Sequence, residues 1–392
     1  MWTADWDGDF VVGGDGNLRL TPAFRLKEFR GADGTVRVHR ELVSALQLLR
    51  ERCGHALAVR RTLAAGLGAV VSGDSSADVQ AAAAAMLTRG MFDDVTVEPD
   101  GIAVTLAEPA RLPAVAIDEA LETAFSVTAA FETAGDMFQQ VTGNFDGAGL
   151  SFGPAQVNFG SGTLVPLFRA FQAADADAFR EAFTDPDDFS DWLRIMDRPV
   201  ADQVQWANSI STGRGRHDVI DPWKGYFQAI GRVPRFRAIT VETILRDYGG
   251  KTARAIAALQ HLRPDISIDN LRCICSLYDL AVQQGSLDKA WTAIDARVTA
   301  ERPTSQFDLV RIAVEERGRK AAPEWQADAI SRRVGILKGV PFTVDDRQRA
   351  NIQFYLLRNV AVSGVGRLMA TDLRPELTRV CDAVATGSTL LV

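Results

Sequence analysis

Residues 271–285 are the segment that most constrains the fold. They read Leu-Arg-Cys-Ile-Cys-Ser-Leu-Tyr-Asp-Leu-Ala-Val-Gln-Gln-Gly, which is apolar on nearly every side of a helix. Because a helix that is apolar all round must be buried, the pattern predicts a central helix that ends at Gly285. Asp279 and Gln283 lie one turn apart on this helix and form a polar stripe. A buried carboxylate needs a partner, so we expect Asp279 to be paired.

A second predicted helix leads to the first candidate for chemistry. Asp118 is expected to cap it, and the positions that share one face follow at spacings of four, three and four: Leu121, Phe125, Thr128 and Glu132. Glu132 is therefore expected to point towards the protein interior. At the helix C-terminus, the partial negative charge and apolar neighbours disfavour its ionised form and would raise its pKa. The alternative is a solvated glutamate one step past the helix end.

A glycine-rich turn at residues 143–149 brings a second carboxylate, Asp146, and is followed by Ser151. The turn reads Gly-Asn-Phe-Asp-Gly-Ala-Gly, which favours positive φ rather than a helix, and residues 150–159 then have strand character. Two carboxylates on opposite sides of a sugar bond are the minimum equipment for glycoside hydrolysis. The alternative for Asp146 is an Asx-type turn residue that caps its own loop.

Residues 146–151, Asp-Gly-Ala-Gly-Leu-Ser, resemble a motif of chitosanases and their relatives in the lysozyme-like superfamily. In chitosanases the motif after the acid reads Asp-Gly-x-Gly-aromatic-Thr, so Leu and Ser are the two departures. The resemblance implies that Glu132 is the general acid, Asp146 the base that activates water, and Ser151 a hydroxyl that positions the water. It also implies supporting or substrate-binding roles for Gly147, Gly149 and Gln156.

The central helix and a later helix carry the same resemblance. The run Tyr-Asp-Leu-Ala-Val-Gln-Gln-Gly at residues 278–285 is similar to the central-helix signature of chitosanase-like domains. Residues 324–333 resemble the family's Trp-x-x-Asp-x-x-x-Arg-type segment, and Arg332 or Arg333 is the candidate partner of Asp279. Such a pair would hold the cleft helices in register; the alternative is a surface arginine on an amphipathic helix. The supporting residues expected here are Asp279, Gln283 and Arg332.

The region beyond the turn contains aromatic and basic residues. Trp206, Trp223, Tyr226 and Phe227 could form stacking platforms for a saccharide, but aromatic residues at helical spacing usually belong to a core. Residues 209–218 contain Gly-Arg-Gly-Arg and are expected to form a basic loop at the border of the cleft.

The first 113 residues resemble the zinc D-alanyl-D-alanine carboxypeptidase-like peptidases. A helix over residues 36–50 precedes a strand that ends in an arginine at residue 60, as in those peptidases. Their strands carry His and Asp ligands, whereas the matching positions here lack metal-binding side chains: Ala69, Val71, Ala103 and Val104. We therefore expect a degenerate domain that binds no metal, and no cofactor in the whole chain.

Composition sets further bounds. The chain has 392 residues, 47% of them hydrophobic, with a net charge of −7, which argues against a nucleic-acid binder. No apolar run reaches the roughly 20 residues of a membrane span. The first nine residues are acidic and do not resemble a signal peptide. We therefore expect synthesis in the cytoplasm and action at the cell wall, with a virion component as one route there.

These observations predict an α+β chain with three parts. They are a small mixed, degenerate carboxypeptidase-like domain at 1–113, a mostly helical lysozyme- and chitosanase-like catalytic domain at 115–345 with a short β-hairpin at the cleft, and a C-terminal helix and tail at 346–392. The predicted function is that of an inverting glycoside hydrolase of the lysin type, from a phage or phage-like particle. Its partners would be peptidoglycan, or a related amino-sugar polymer, and other particle proteins. The alternative is a non-catalytic structural or wall-binding component of a tail-like particle.

Overall fold

The computed structural model describes residues 4–21, 23–108, 112–132, 136–349, 357–369 and 380–381. The chain divides into two compact units, each built from separate stretches of sequence. Unit 1 contains residues 1–127, 251–368 and 391–392, and unit 2 contains residues 128–250 and 369–390. The two units are defined by which residues pack together. The domain limits predicted at 1–113, 115–345 and 346–392 rest on resemblance to known families and stay predictions.

The predicted α+β class is confirmed, since long helices accompany several small sheets. The described α-helices are α1 (Arg40–Cys53), α2 (Ser76–Thr88), α3 (Ile117–Glu132), α4 (Leu164–Ala174), α5 (Ala176–Glu181), α6 (Pro186–Met196), α7 (Val200–Ile210), α8 (Trp223–Arg232), α9 (Pro234–Leu262), α10 (Leu271–Gln284), α11 (Trp291–Glu301), α12 (Gln306–Gly318) and α13 (Pro323–Lys338). None of the helices in the described part of the chain combines the length and apolar character that a membrane crossing requires.

The described strands are short. They are β1 (Ala4–Asp7), β2 (Phe10–Gly14), β3 (Val38–His39), β4 (Leu57–Leu63), β5 (Gly68–Gly73), β6 (Phe92–Glu98), β7 (Gly101–Leu106), β8 (Val115–Ala116), β9 (Val141–Thr142), β10 (Ser151–Phe152), β11 (Val157–Asn158), β12 (Ser211–Thr212), β13 (Asp218–Val219), β14 (Phe342–Val344), β15 (Arg347–Arg349) and β16 (Val362–Ser363). Their largest sheet is antiparallel with the order β4-β5-β7-β6, and it belongs to unit 1.

The predicted central helix of unit 1 is confirmed as α10. Each of its residues from Leu271 to Ala281 is buried, and Gly285 ends it with a φ of 81°. The helix packs against α12 and α13. A helix that is apolar on all sides is therefore buried, and it ends at a glycine with positive φ, as the sequence predicts.

The partner expected for Asp279 lies on α13. Asp279 is fully buried, and its Oδ1 accepts hydrogen bonds from Arg332 Nε at 2.8 Å and from Arg332 Nη2 at 2.5 Å. Arg333 Nε lies 3.5 Å from Asp279 Oδ2, and the amide oxygen of Gln283 accepts from Arg333 Nη2 at 2.9 Å. Burial lowers the pKa of Arg333 to about 10, while the charge of Asp279 acts in the opposite direction. One carboxylate therefore holds two buried guanidinium groups between α10 and α13.

Unit 2 is built around an aromatic core. Trp192 is fully buried, and its ring centroid lies 5.1 Å from those of both Phe168 and Phe227. Trp223 and Tyr226, at 8% and 4% exposed, also belong to this core, as their helical spacing indicated. Three small antiparallel pairings surround it, β9 with β10, β10 with β11, and β12 with β13.

Two local predictions were wrong. α3 begins at Ile117, so Asp118 lies inside its first turn and acts on the helix dipole rather than as the cap. The C-terminal helix expected within residues 346–392 does not form at residues 347–349, which are strand β15 paired with β14. Asp345 and Asp346 between these strands have φ of 44° and 63°, the geometry of a tight hairpin turn. Residues 350–356 of that predicted helix lie outside the described residues, as does most of the predicted tail.

Asp279→Ala should destabilise the protein strongly. The substitution leaves two guanidinium groups buried without their carboxylate, which typically costs about 3–5 kcal/mol. The free energy of unfolding in urea measures the loss. Asp295→Ala, at an exposed position on α11, is the matched control and should change it by less than about 0.5 kcal/mol. An equal effect of the two substitutions would show that the Asp279 network does not stabilise unit 1.

Candidate active site

α3 delivers Glu132 as its last residue. The face predicted for this residue is a core face, because Leu121, Phe125 and Thr128 are each 2% exposed. Glu132 follows Thr128 by four residues, so its backbone position lies on the same face of the helix. Its side chain lies outside the described residues, so its expected pKa and role stay predictions.

The chain that follows Glu132 is anchored to α9 through Asp136. Asp136 Oδ2 accepts from Arg237 Nη2 at 2.5 Å, and Arg237 Nε also donates to the carbonyl oxygen of Gly231 at 2.7 Å. The guanidinium of Arg237 lies 5.2 Å from the ring centre of Phe138. A Cβ at Gly231 would come within 2.1 Å of the Phe138 carbonyl oxygen, so only glycine permits this approach. These contacts set where β9 begins and hence where the next turn lies.

Asp146 occupies the glycine-rich turn between β9 and β10. Its Oδ1 accepts a hydrogen bond from the backbone nitrogen of Ala148 at 3.0 Å, which is the Asx turn that the sequence offered as an alternative. The residue is exposed, and Oδ2 has no hydrogen-bond partner among the described residues. Gly147 and Gly149 have φ of 84° and 87°, so the turn needs both glycines. The turn therefore fixes one carboxylate oxygen and leaves the other towards solvent.

Asn144 holds the turn in place. Its Oδ1 accepts from the backbone nitrogen of Gly149 at 2.9 Å, and its Nδ2 donates to Asn208 Oδ1 on α7 at 3.2 Å. The backbone nitrogen of Asn144 donates to Ser211 Oγ at 2.8 Å. This amide connects the two ends of the turn with α7 and β12. Sequence reasoning did not single out Asn144, although an asparagine in a glycine-rich turn is a common side-chain anchor.

The hairpin formed by β12 and β13 packs directly against the Asp146 turn. The backbone nitrogen of Gly143 donates to the carbonyl oxygen of His217 at 3.3 Å. A Cβ at Gly143 would lie 2.5 Å from the carbonyl oxygens of Arg216 and Asp218. A hydrogen bond from Lys224 holds the pKa of Asp218 below its usual range. The basic loop expected at the border of a site thus lies beside the candidate base.

Ser151 and Gln156 lie in the three-stranded sheet that follows the turn. Ser151 is 3% exposed and pairs with Thr142 and Asn158 on the flanking strands. Gln156 has a φ of 49°, and its Nε2 donates to the carbonyl oxygen of Gly153 at 2.9 Å. Gln156 therefore braces the β10–β11 turn. The water-positioning role of Ser151 and the substrate contact of Gln156 stay predictions.

The remaining predicted residues, Asp279, Gln283 and Arg332, form the buried network of unit 1 described above. The expected lost metal positions are apolar, since Ala69 pairs with Val104 on the neighbouring strand and both are fully buried. Among the described residues, no group of three or more His, Cys, Asp and Glu side chains is placed to hold a metal ion.

Three solved structures are similar to this chain, and all are chitosanases. The GH46 chitosanase of Gynuella sunshinyii in complex with chitotetraose has a TM-score of 0.39 and 14% identity over 58% of this chain and 88% of that one. Native chitosanase from Bacillus subtilis MY002 has a TM-score of 0.36 and 12% identity over 60% of this chain and 96% of that one. A mutant of the Bacillus enzyme complexed with 6 GlcN also has a TM-score of 0.36 and 12% identity, over 56% of this chain and 87% of that one.

No protein-family model matches the chain, and no curated protein matches it. These comparisons give no support to the carboxypeptidase-like resemblance of residues 1–113.

Asn144→Ala should loosen the Asp146 turn without unfolding unit 2. The substitution removes the acceptor of the Gly149 amide and the link to Asn208, so the Gly149 amide should exchange with solvent about tenfold faster, since a lost hydrogen bond costs about 1–1.5 kcal/mol. Hydrogen exchange read by NMR measures the rate. The amide of Phe227, in the buried part of α8, is the internal reference, and its exchange should be unchanged. Equal exchange of Gly149 in both proteins would contradict the role of Asn144.

Proposed function

We propose that this chain is a glycoside hydrolase that acts on an amino-sugar polymer. The observation that carries the proposal is the Asp146 turn, in which one carboxylate oxygen is held by the Ala148 amide and the other remains open to solvent. A base that activates water needs both a fixed orientation and access to that water. The turn is braced by Asn144 rather than left to move, which suits a catalytic position.

The proposed division of roles follows from where the two carboxylates lie in the chain. Glu132 is the last residue of a helix whose preceding face is buried, and a helix C-terminus in general disfavours a negative charge. Asp146 lies in an exposed turn, where water can reach its carboxylate. Glu132 would protonate the leaving oxygen while Asp146 directs a water at the sugar. The buried Ser151 would assist by holding that water from the adjacent strand.

The second candidate function is a non-catalytic wall-binding or structural protein of a phage-like particle. The Asx turn of Asp146 favours it, because a carboxylate that accepts from its own loop is also what a purely structural turn residue would do. Binding of a glycan polymer without release of new reducing ends would identify this function.

Glu132→Gln should abolish hydrolysis while binding persists. Loss of the general acid removes a contribution of about 10²- to 10⁴-fold to the rate. New reducing ends released from peptidoglycan or chitosan measure activity, and co-sedimentation with the polymer measures binding. Glu119→Gln, at an exposed position of the same helix, is the matched control and should retain full activity. Activity of the Glu132 variant within a few-fold of the parent protein would refute the assignment.

Asp146→Asn separates the catalytic role of this residue from its structural role. The amide oxygen of asparagine can still accept from the Ala148 nitrogen, so the turn should persist, but the base is lost. We expect unchanged thermal stability together with a loss of activity of about 10²-fold or more. Retained activity would support the structural function of the turn.

The proposed mechanism is inversion. Thirteen residues separate Glu132 from Asp146, enough chain to carry the base across a cleft. Inverting enzymes leave roughly 6.5–9.5 Å between their carboxyl groups for a water, whereas retaining enzymes need only about 5 Å. NMR of fresh product, recorded before mutarotation, should show the inverted anomer. The retained anomer, or a covalent adduct on Asp146, would overturn the mechanism.

A further inference from the structure

The loop between β12 and β13 and the turn that carries Asp146 together present an exposed basic and aromatic surface. We call it the arginine platform and define it by Phe145, Arg214, Arg216 and His217. The ring of Phe145, the residue before Asp146, stacks on the imidazole of His217 with 4.4 Å between ring centroids and 16° between planes. Phe145 is 45% exposed, which is unusual for a phenylalanine in a folded unit.

Arg216 is tied to the turn that carries the candidate base. Its Nη1 donates to Asn208 Oδ1, the same oxygen that accepts from Asn144 Nδ2. Arg216 has a φ of 60°, a conformation that costs free energy in a non-glycine residue and that the surrounding contacts must maintain. The backbone approach of Gly143 to the Arg216 carbonyl oxygen supplies such a contact. The guanidinium is therefore held beside the turn rather than trailing in solvent.

The two arginines of the platform have no ion-pair partner among the described residues. Arg214 and Arg216 are exposed, and neither forms an ion pair within the described part of the chain. Asp218, the nearest acid along the loop, pairs with Lys224 Nζ at 2.8 Å. In a chain of net charge −7, two exposed arginines beside an aromatic pair place positive charge next to the turn. Planar guanidinium groups match the geometry of carboxylates.

We propose that the arginine platform binds carboxylates of the polymer and so selects peptidoglycan over chitosan. This inference rests on the proposed function and names its substrate class. The peptides of peptidoglycan carry free carboxylates along the glycan, which the arginines would pair with while Phe145 contacts the apolar face of a sugar. Chitosan carries ammonium groups at acidic pH, and these are repelled by the same arginines.

Binding tests the platform independently of catalysis. Co-sedimentation with insoluble peptidoglycan sacculi compares the full-length protein with its Arg214→Gln/Arg216→Gln variant at low ionic strength. We expect the double variant to bind sacculi with about tenfold lower affinity. Salt added to about 0.5 M should weaken sacculus binding by a similar factor for the parent protein only. Arg180→Gln, an exposed position on α5 away from the turn, is the matched control and should bind as the parent protein does. Unchanged binding by the double variant would overturn the proposal.

A single substitution separates an effect on binding from an effect on folding. Arg214 forms no side-chain hydrogen bond with the described residues, so Arg214→Gln should leave the thermal midpoint unchanged while it weakens sacculus binding about threefold. A lower midpoint with unchanged binding in the single variant would overturn the recognition role.

Hydrolysis assays distinguish failure of this inference from failure of the proposed function. We expect release of reducing ends from peptidoglycan and much less from chitosan, and a higher KM with an unchanged kcat for the Arg214→Gln variant. Faster hydrolysis of chitosan would overturn the inference and leave the hydrolase intact. Hydrolysis of neither polymer, together with arginine-dependent binding of sacculi, would refute the proposed function and support carboxylate recognition.

Discussion

The structure of unit 1 depends on the pairing of one buried carboxylate with two arginines. Asp279, Arg332 and Arg333 are each no more than 1% exposed, so none of these charges can be hydrated by bulk water. A lone ion in that position would cost several kcal/mol, which makes each of the three groups tolerable only in the presence of the others. Because Asp279 lies on α10 and both arginines lie on α13, the pairing also specifies the register of these two helices.

Unit 2 has a different problem, and it combines one ion pair with neutral hydrogen bonds. Its core is aromatic and apolar, so the polar chain between Glu132 and Ser151 must find its partners at the surface of that core. Asp136 and Asn144 provide them, the first through Arg237 and the second through Gly149 and Asn208. The result is a turn whose backbone is fixed although the carboxylate that it carries is exposed. Such support is what a functional group needs if its geometry is to survive outside a core.

The Asx turn of Asp146 is compatible with catalysis and with a purely structural role, since both require Oδ1 to accept from the Ala148 amide. The neighbouring hairpin adds a feature that the structural role does not require. Arg216 is held in a costly backbone conformation, and the exposed ring pair of Phe145 and His217 lies on the same turn. Strain and exposed apolar surface are often retained where a ligand uses them, which supports the proposed recognition of a polymer at this turn.

The sequence by itself determined the elements whose signals are local or periodic. The all-round apolar pattern of residues 271–285 predicted α10 and the burial of Asp279, and the glycines at 147 and 149 predicted the turn. Only the tertiary structure decided which side chains meet across long separations. Asn144 and Asn208 are 64 residues apart, and nothing in the sequence indicates that one amide would hold both the turn and the basic hairpin. The strand at residues 347–349 was missed for the same reason, because pairing with a neighbouring strand overrode a helical pattern.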